Sequence, residues 1–379
     1  MFQISGRAAS GGVGETGMRK PIPVTVLTGY LGAGKTTLLN RILSEDHGKK
    51  YAVIVNEFGE IGIDNDLVVS SDDELFEMNN GCICCTVRGD LIQVLYKLLD
   101  QAQTFDAVII ETTGLAAPGP VIQTFLVDLH LQAHLKLDSI ITLVDAVHIH
   151  QRLGDSQEAV EQVAFADQLI INKIEHVEEK RLRGIETALR VLNPFARIYK
   201  TSRCQVQLDA VIGRGSFDLS RVEGLAMMAQ APAPEHVHDE HCRHGTHCDH
   251  DRDHGHVHGE HCGHGHEHTH AHDEDNHIQA GGISSVSLTT DKALDLTKLE
   301  EWLGNLVTVR GADILRSKGI FYVLGCGRRY VFQSVHMLME GDLQGPWSEG
   351  EARYSRYVLI GRNLDREALR ADFEACIHD

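Results

Sequence analysis

The chain has 379 residues, 42% of them hydrophobic, and a formal net charge of −19. This is longer than one ordinary small domain and apolar enough for a sizeable core, which predicts two folded units and excludes wholesale disorder. The acidic balance argues against polyanionic partners, so neither nucleic acid nor an anionic membrane surface is expected, and no apolar run approaches the roughly 18–20 residues that span a bilayer.

Residues 1–20 are Gly-rich, non-periodic and without the apolar segment of a secretory signal, and are read as a disordered leader. Nine cysteines and no signal imply reduced thiols and a cytoplasmic location. From residue 21 to about 215, short apolar runs alternate with helix-length segments. Val24–Leu27, Tyr51–Val55, Ala107–Ile110, Ile140–Val144 and Gln168–Ile171 are continuous in Val, Ile and Leu, as strands buried in a parallel sheet require. Asp90–Asp100 carries Leu91, Val94, Leu95 and Leu98 at helical spacing. The alternation predicts an α/β fold, a parallel sheet with helices on both faces.

The first strand runs into GYLGAGKT, Gly29–Thr36, which satisfies the phosphate-loop pattern G-x-x-x-x-G-K-[ST] and opens a helix over Thr37–Leu43. Backbone N–H groups of Gly29, Gly32, Ala33 and Gly34 would wrap phosphates at the positive helix end. Lys35 would reach the β- and γ-phosphates, and Thr36 would hold Mg²⁺. After the second strand comes NEFGEIGID, Asn56–Asp64, and then GCICC, Gly81–Cys85, with three thiols in four residues. Cys82, Cys84 and Cys85 suit a soft or borderline cation such as Zn²⁺ and leave one coordination position open, as a transfer site needs. A redox pair or small buried hydrophobes are the alternatives.

VIIETTG, Val108–Gly114, is an apolar strand ending in an acid. Glu111 would act through water on Mg²⁺ or orient the attacking water, and the Gly114 N–H would sense a γ-phosphate. LIINKIE, Leu169–Glu175, offers N-K-x-E where guanine-specific proteins carry N-K-x-D. A carboxylate there accepts two hydrogen bonds from guanine, so Asn172, Lys173 and Glu175 make GTP the favoured nucleotide, although Glu175 is longer by one methylene.

Between residues 216 and 280 the pattern breaks. Sixteen of the 24 histidines lie in His236–His277, mixed with Asp, Glu, Gly and three cysteines, which reads as a disordered metal-binding linker. Neutral imidazoles at H-x-H spacing, among them His254, His256, His258, His264, His266, His268 and His270, would buffer divalent ions loosely and without selectivity. The single residues His148, His150 and His336 are expected in packing or surface roles. Residues 281–379 resume ordinary sequence. Strands are expected at Ser284–Thr290, Gly319–Leu324, Arg329–Val335 and Arg353–Ile360, and helices at Leu296–Leu306 and Arg366–Ile377, forming a smaller α+β domain.

The combination GYLGAGKTT, NEFGEIGID, NGCICC, ETTGLAAPGP and VFQSVHM resembles the CobW-like family of P-loop GTPases, relatives of the HypB and UreG nickel chaperones, from about Pro21 to the C-terminus. The resemblance implies a P-loop NTPase domain with a distinct C-terminal domain, and GTP hydrolysis linked to metal handling, mostly of zinc and in some branches cobalt. By position, Gly32, Gly34, Lys35, Thr36 and Thr37 would bind phosphates and Mg²⁺, and Glu57, Gly59 and Asp64 would lie in a switch. Cys82, Cys84 and Cys85 would hold metal, and Asn172 and Lys173 the base. Many relatives have an acid where this chain has Val55, which leaves Glu57 or Glu60 as the fourth metal donor. The expected activity is GTP-driven delivery of Zn²⁺ to a client metalloprotein, with homodimers expected from relatives. A cobalt-handling GTPase of corrin biosynthesis and a passive zinc store are the alternatives.

Overall fold

The computed structural model describes residues 20–45, 48–55, 75–77, 86–100, 105–216, 282–336, 338–347 and 350–378. The first unit is a seven-stranded sheet built from β1 (Ile22–Gly29), β2 (Tyr51–Val55), β3 (Leu75–Glu77), β4 (Ala107–Glu111), β5 (Leu135–Asp145), β6 (Gln168–Asn172) and β7 (Arg197–Lys200). Its order is β3-β2-β4-β1-β5-β6-β7, and every pairing is parallel. Strands β2, β3 and β4 lie on one side of β1 and β5, β6 and β7 on the other, so the order reverses at β1 and the carboxyl ends of β4, β1, β5 and β6 open onto one crevice, where α/β sheets bind ligands.

The helices of this unit are α1 (Lys35–Ser44), α2 (Thr86–Asp100), α3 (Gly119–Val127), α4 (Leu129–His134), α5 (Ile149–Asp155), α6 (Gln157–Phe165), α7 (Glu179–Leu192) and α8 (Leu208–Val211). Alternate residues of β1 serve opposite faces: Val24 and Val26 join one apolar cluster, while Leu27 joins the other with Leu38, Leu39 and Ile42 of α1. This two-sided burial explains why the strands read as continuous apolar runs.

The second unit is a five-stranded sheet of β8 (Ile283–Thr290), β9 (Ile314–Phe321), β10 (Arg328–Val335), β11 (Leu338–Pro346) and β12 (Ser355–Arg362), in the order β11-β10-β9-β12-β8 and antiparallel throughout. Its own core gathers Leu299, Leu303 and Leu306 of α9 (Leu296–Arg310) with Leu369 and Phe373 of α10 (Arg366–Ala375) around Phe321 and Tyr357. Ile283, Leu315, Val335 and Ile360 belong instead to the cluster beneath the first sheet, so one apolar core crosses the boundary between the units. At that boundary Arg316, only 1% exposed, pairs with the buried Asp167 carboxylate and donates to the Phe165 carbonyl. Lys318 Nζ lies 3.4 Å from the same carboxylate, and burial together with the Arg316 guanidinium pushes its ammonium down to about 8.

The second strand of the C-terminal unit, β9, runs from Ile314 to Phe321, not from Gly319 to Leu324 as the sequence suggests. The reason is chemical: Arg316, Ser317 and Lys318 interrupt the apolar run, yet Arg316 is buried against Asp167 and Phe165 of the neighbouring unit and Ser317 against Ser334 and Tyr357 of its own sheet. The edge strand β11 escapes sequence reading because Gly341, Gly345 and its acids dilute a β pattern. No helix among the described residues is long and apolar enough to cross a membrane.

Candidate functional site

The turn after β1 depends on glycine at three positions. Gly29 (φ +140°), Gly32 (φ +73°) and Gly34 (φ +111°) adopt backbone angles that L side chains rarely take. A Cβ on Gly29 would stand 2.4 Å from the Leu143 carbonyl oxygen of β5, and one on Gly34 2.6 Å from Asn172 Nδ2. Lys35 opens α1 directly after Gly34, and its Nζ donates to the Gly29 carbonyl at 2.8 Å, so the ammonium sits across the mouth of the loop. Ala33 is buried, whereas Thr36 and Thr37 keep partial or full exposure at the helix start.

A clamp from β6 fixes this loop. Asn172, 3% exposed, donates from Nδ2 to the Ala33 carbonyl at 3.0 Å and accepts at Oδ1 from the Cys204 N–H at 2.9 Å. Cys204 in turn donates from Sγ to the Gly34 carbonyl at 3.4 Å. Burial pushes its thiol up to about 11, which keeps it a neutral donor. Arg41 of α1 reaches the Cys204 and Val206 carbonyls, closing the ring from the other side.

Lys173 takes a left-handed conformation (φ +64°) and places Nζ 2.8 Å from Asp145 Oδ2 at the end of β5. The Asp145 carboxyl is raised by burial, but hydrogen bonds from Lys173, His148 and the Val147 N–H outweigh this and leave it below the usual carboxylate range. Glu175 stands exposed in a single 3-10 turn. Its own backbone N–H and the Ser202 hydroxyl hold its carboxyl low, so it is an anion fixed at the rim of the Asn172 crevice.

On the other flank, Glu111 ends β4, 6% exposed, in register with Leu27 of β1. Thr112 continues from it, its N–H bonded to the Leu27 carbonyl and its hydroxyl to Thr28 Oγ1 at 2.8 Å. Gly114 then presses on the phosphate loop, where an added Cβ would meet Leu31 N at 2.6 Å. A cavity of ≈ 350 Å³ opens beside the loop between Tyr30, Leu31, Asp145, Arg152, Gln162 and Lys173.

Gly29, Gly32, Ala33, Gly34, Lys35, Thr36, Thr37, Glu111, Gly114, Asn172, Lys173 and Glu175 thus gather on one crevice. Glu57, Asp64, Cys82, Cys84, Cys85 and the histidines His254, His256, His258, His264, His266, His268 and His270 lie outside the described residues. Among the described residues, no group of three or more His, Cys, Asp or Glu could hold a metal ion. Sequence reading missed Asp145, Ser202 and Cys204. Ser202 and Cys204 follow the polar strand β7, which has no apolar run to announce it, but a Thr-Ser pair after a basic strand end is the signal that could have found them.

The described geometry has counterparts among known proteins. Residues 23–200 match the model "CobW/HypB/UreG, nucleotide-binding domain", and residues 283–377 match "Cobalamin synthesis protein cobW C-terminal domain". The zinc chaperone YjiA of Escherichia coli is 32% identical over 357 residues, spanning 93% of this chain and 98% of that protein. The chain belongs to the CobW/HypB/UreG family. The zinc-regulated GTPase metalloprotein activator 1 of Schizosaccharomyces pombe is 41% identical over 189 residues, 48% of this chain and 46% of that one. The crystal structure of Zn(II)-bound YjiA GTPase from E. coli superposes with a TM-score of 0.71 at 29% identity, covering 95% of this chain and all of the other. Both units of this family member therefore have a counterpart in one solved relative.

Proposed function

We propose that this GTPase of the CobW/HypB/UreG family is a zinc chaperone that delivers Zn²⁺ to a client metalloprotein. The observation that carries the reading is the single crevice joining the phosphate loop, the Glu111–Gly114 segment and the Asn172–Glu175 turn, in a chain whose GCICC stretch stands immediately before Thr86 at the start of α2. Relatives over nearly the whole chain carry the name zinc chaperone, and this supports Zn²⁺ as the cargo.

In this reading the loop N–H groups and Lys35 bind the phosphates, while Asn172 holds the loop and faces the base. Glu175, fixed by Ser202, accepts from guanine. The Thr36 hydroxyl and the Glu111 carboxylate form an all-oxygen donor set that fits Mg²⁺, Thr36 directly and Glu111 through water. When bound, that ion would neutralise charge on the β- and γ-phosphates. Gly114 offers its N–H to the γ-phosphate, and Glu111 orients the attacking water. Cys82, Cys84 and Cys85, with Glu57 as the fourth donor, take the cargo ion. Nucleotide occupancy acts on the Asn56–Asp64 segment, Asp64 included, to reset their affinity, and the His236–His277 stretch buffers metal for them.

The test is an equilibrium competition of Zn²⁺ and Co²⁺ for the chain lacking residues 236–277, with GTP analogue, GDP or no nucleotide. Zinc preference and a nucleotide-dependent affinity differing by roughly five-fold or more are expected. Cys84→Ser should abolish the tight site and any metal dependence of turnover. Equal affinity in all three nucleotide states would leave a passive store, and cobalt preference would replace zinc as the cargo.

A further inference from the structure

Helix α6 is buried on every side from Ala159 to Phe165, unusual for a helix of a sheet's outer layer. One side of it faces the segment that follows β4. Gln162, 1% exposed, donates from Nε2 to both the Gly114 and the Ala116 carbonyls at 3.1 Å, and its own carbonyl accepts from the Thr142 hydroxyl of β5 at 2.8 Å. The segment 112–118 is therefore held between Leu31 of the phosphate loop and the Gln162 amide. Any displacement of Gly114 by a γ-phosphate must strain or break these two bonds, or carry α6 along.

The other side of α6 belongs to the C-terminal unit. Glu161, next to Gln162, pairs with Arg362 of β12. The C-terminal carbonyls of α6 are satisfied from outside the helix: Val163 and Ala164 by the Asn193 amide, Phe165 by Arg316 of β9. The guanidinium also lies where the helix dipole favours a cation. The His336 ring packs on Phe165 with centroids 5.2 Å apart. Its Nε2 would stand 2.9 Å from a Cβ on Gly119, the first residue of α3 and the exit of the same 112–118 segment. The C-terminal unit thus touches the γ-phosphate-sensing segment at its far end and through the helix that holds it.

We infer that Gln162 is a positioning residue for the Gly114 segment, and that α6 couples γ-phosphate occupancy to the docking of the C-terminal unit. The inference rests on the nucleotide reading above and deepens it by naming the element both sites bias. A ligand shifts such an equilibrium only by its differential affinity for the two arrangements. GTP and GDP differ at the phosphate that Gly114 faces, so they are the pair that should read docking. By reciprocity, loosening the C-terminal unit must change the preference between them.

The experiment uses the full chain with Gln162→Leu, Arg362→Ala and His336→Ala, and measures dissociation constants for a non-hydrolysable GTP analogue and for GDP, together with turnover. Gln162→Leu should change the analogue-to-GDP affinity ratio by at least about five-fold, with GDP affinity nearly unmoved. Arg362, which pairs with Glu161, should shift the same ratio in the same direction when replaced, and His336→Ala likewise. A merely space-filling Gln162 would lower thermal stability and leave the ratio alone. If Gln162→Leu does not fold, the two C-terminal variants decide: ratios equal to wild type in both overturn the coupling. The affinities report it whether or not GTP is hydrolysed, and a wild-type chain without turnover overturns the GTPase mechanism instead.

Discussion

Replacing Arg316 by leucine isolates one fully buried ion pair between the two units. The side chain is 1% exposed and meets both the Asp167 carboxylate, 2% exposed, and the Phe165 carbonyl. Removing one partner of a buried ion pair costs about 3–5 kcal/mol, because the other charge stays buried. Here Asp167 keeps the Ile140 N–H at 2.9 Å and Lys318 at 3.4 Å, and the Lys318 side chain is 22% exposed, so the lower end, about 3 kcal/mol, applies. At roughly 2–4 °C per kcal/mol the melting temperature should fall by about 6–12 °C. Both tryptophans, Trp302 and Trp347, lie in the C-terminal unit, so their fluorescence reports that unit while far-ultraviolet circular dichroism reports both. The two transitions should coincide in the wild type and separate in Arg316→Leu. Asp167→Asn in the same chain removes the stranded charge but keeps an acceptor for Ile140, and should recover part of the loss. An Arg316→Leu protein that melts within about 1 °C of wild type would refute the reasoning.

Three further outcomes follow from the nucleotide crevice. Gly34→Ala forces a side chain into φ +111° and against Asn172 and Cys204, a strain of about 1–3 kcal/mol, and should weaken GTP binding roughly five- to hundred-fold in a titration calorimeter. If the anion fixed by Ser202 matches guanine as proposed, Glu175→Ala should lower the GTP-to-ATP affinity ratio by at least about ten-fold; an unchanged ratio would remove Glu175 from base recognition. Asp145 has a folded-state acidity below its unfolded one, so it adds stability above the ordinary carboxylate value of about 3.9 and loses that contribution as pH falls through its lower native value. Lys173→Met weakens that depression, and its acid unfolding, followed by circular dichroism, should begin at higher pH than in the wild type.

Much of this was legible in the residues themselves. Tyr51–Val55 is a strand with the bounds its five apolar residues suggest, and GYLGAGKT forms the left-handed glycine turn that its spacing requires. Periodicity sees local burial, and both cases are local. What it could not see is burial supplied by distant chain. Arg316 looks like a solvated break until Asp167 and Phe165 arrive from the other unit, and Ser317 until Ser334 and Tyr357 meet it from neighbouring strands. Cys204 has no motif around it, and its role exists only because Asn172 and Gly34 lie 32 and 170 residues away in the chain. Lys173 is tied to Asp145, a partner at the end of a different strand that no motif announces.

The boundary between the units also decides how the histidine-rich stretch can be studied. The described chain stops at Ser216, whose carbonyl lies 3.4 Å from Lys318 Nζ, and resumes at Gly282, whose carbonyl accepts from the Asn363 N–H at 2.9 Å. Both contacts are made with the C-terminal unit, on β9 and just beyond β12, which are neighbours in its sheet. The intervening residues therefore leave and rejoin a pair of units already fastened by Arg316, Arg362 and a shared apolar core. Removing residues 236–277 leaves 217–235 and 278–281 to connect them, a reach of about 75 Å when extended. A domain of this size has a radius of gyration of only about 13 Å, so the shortened connection imposes no tension on the docked pair. Metal lost from that variant consequently measures ligands removed, not units pulled apart, and the tryptophan and circular dichroism transitions should stay coincident while stoichiometry falls.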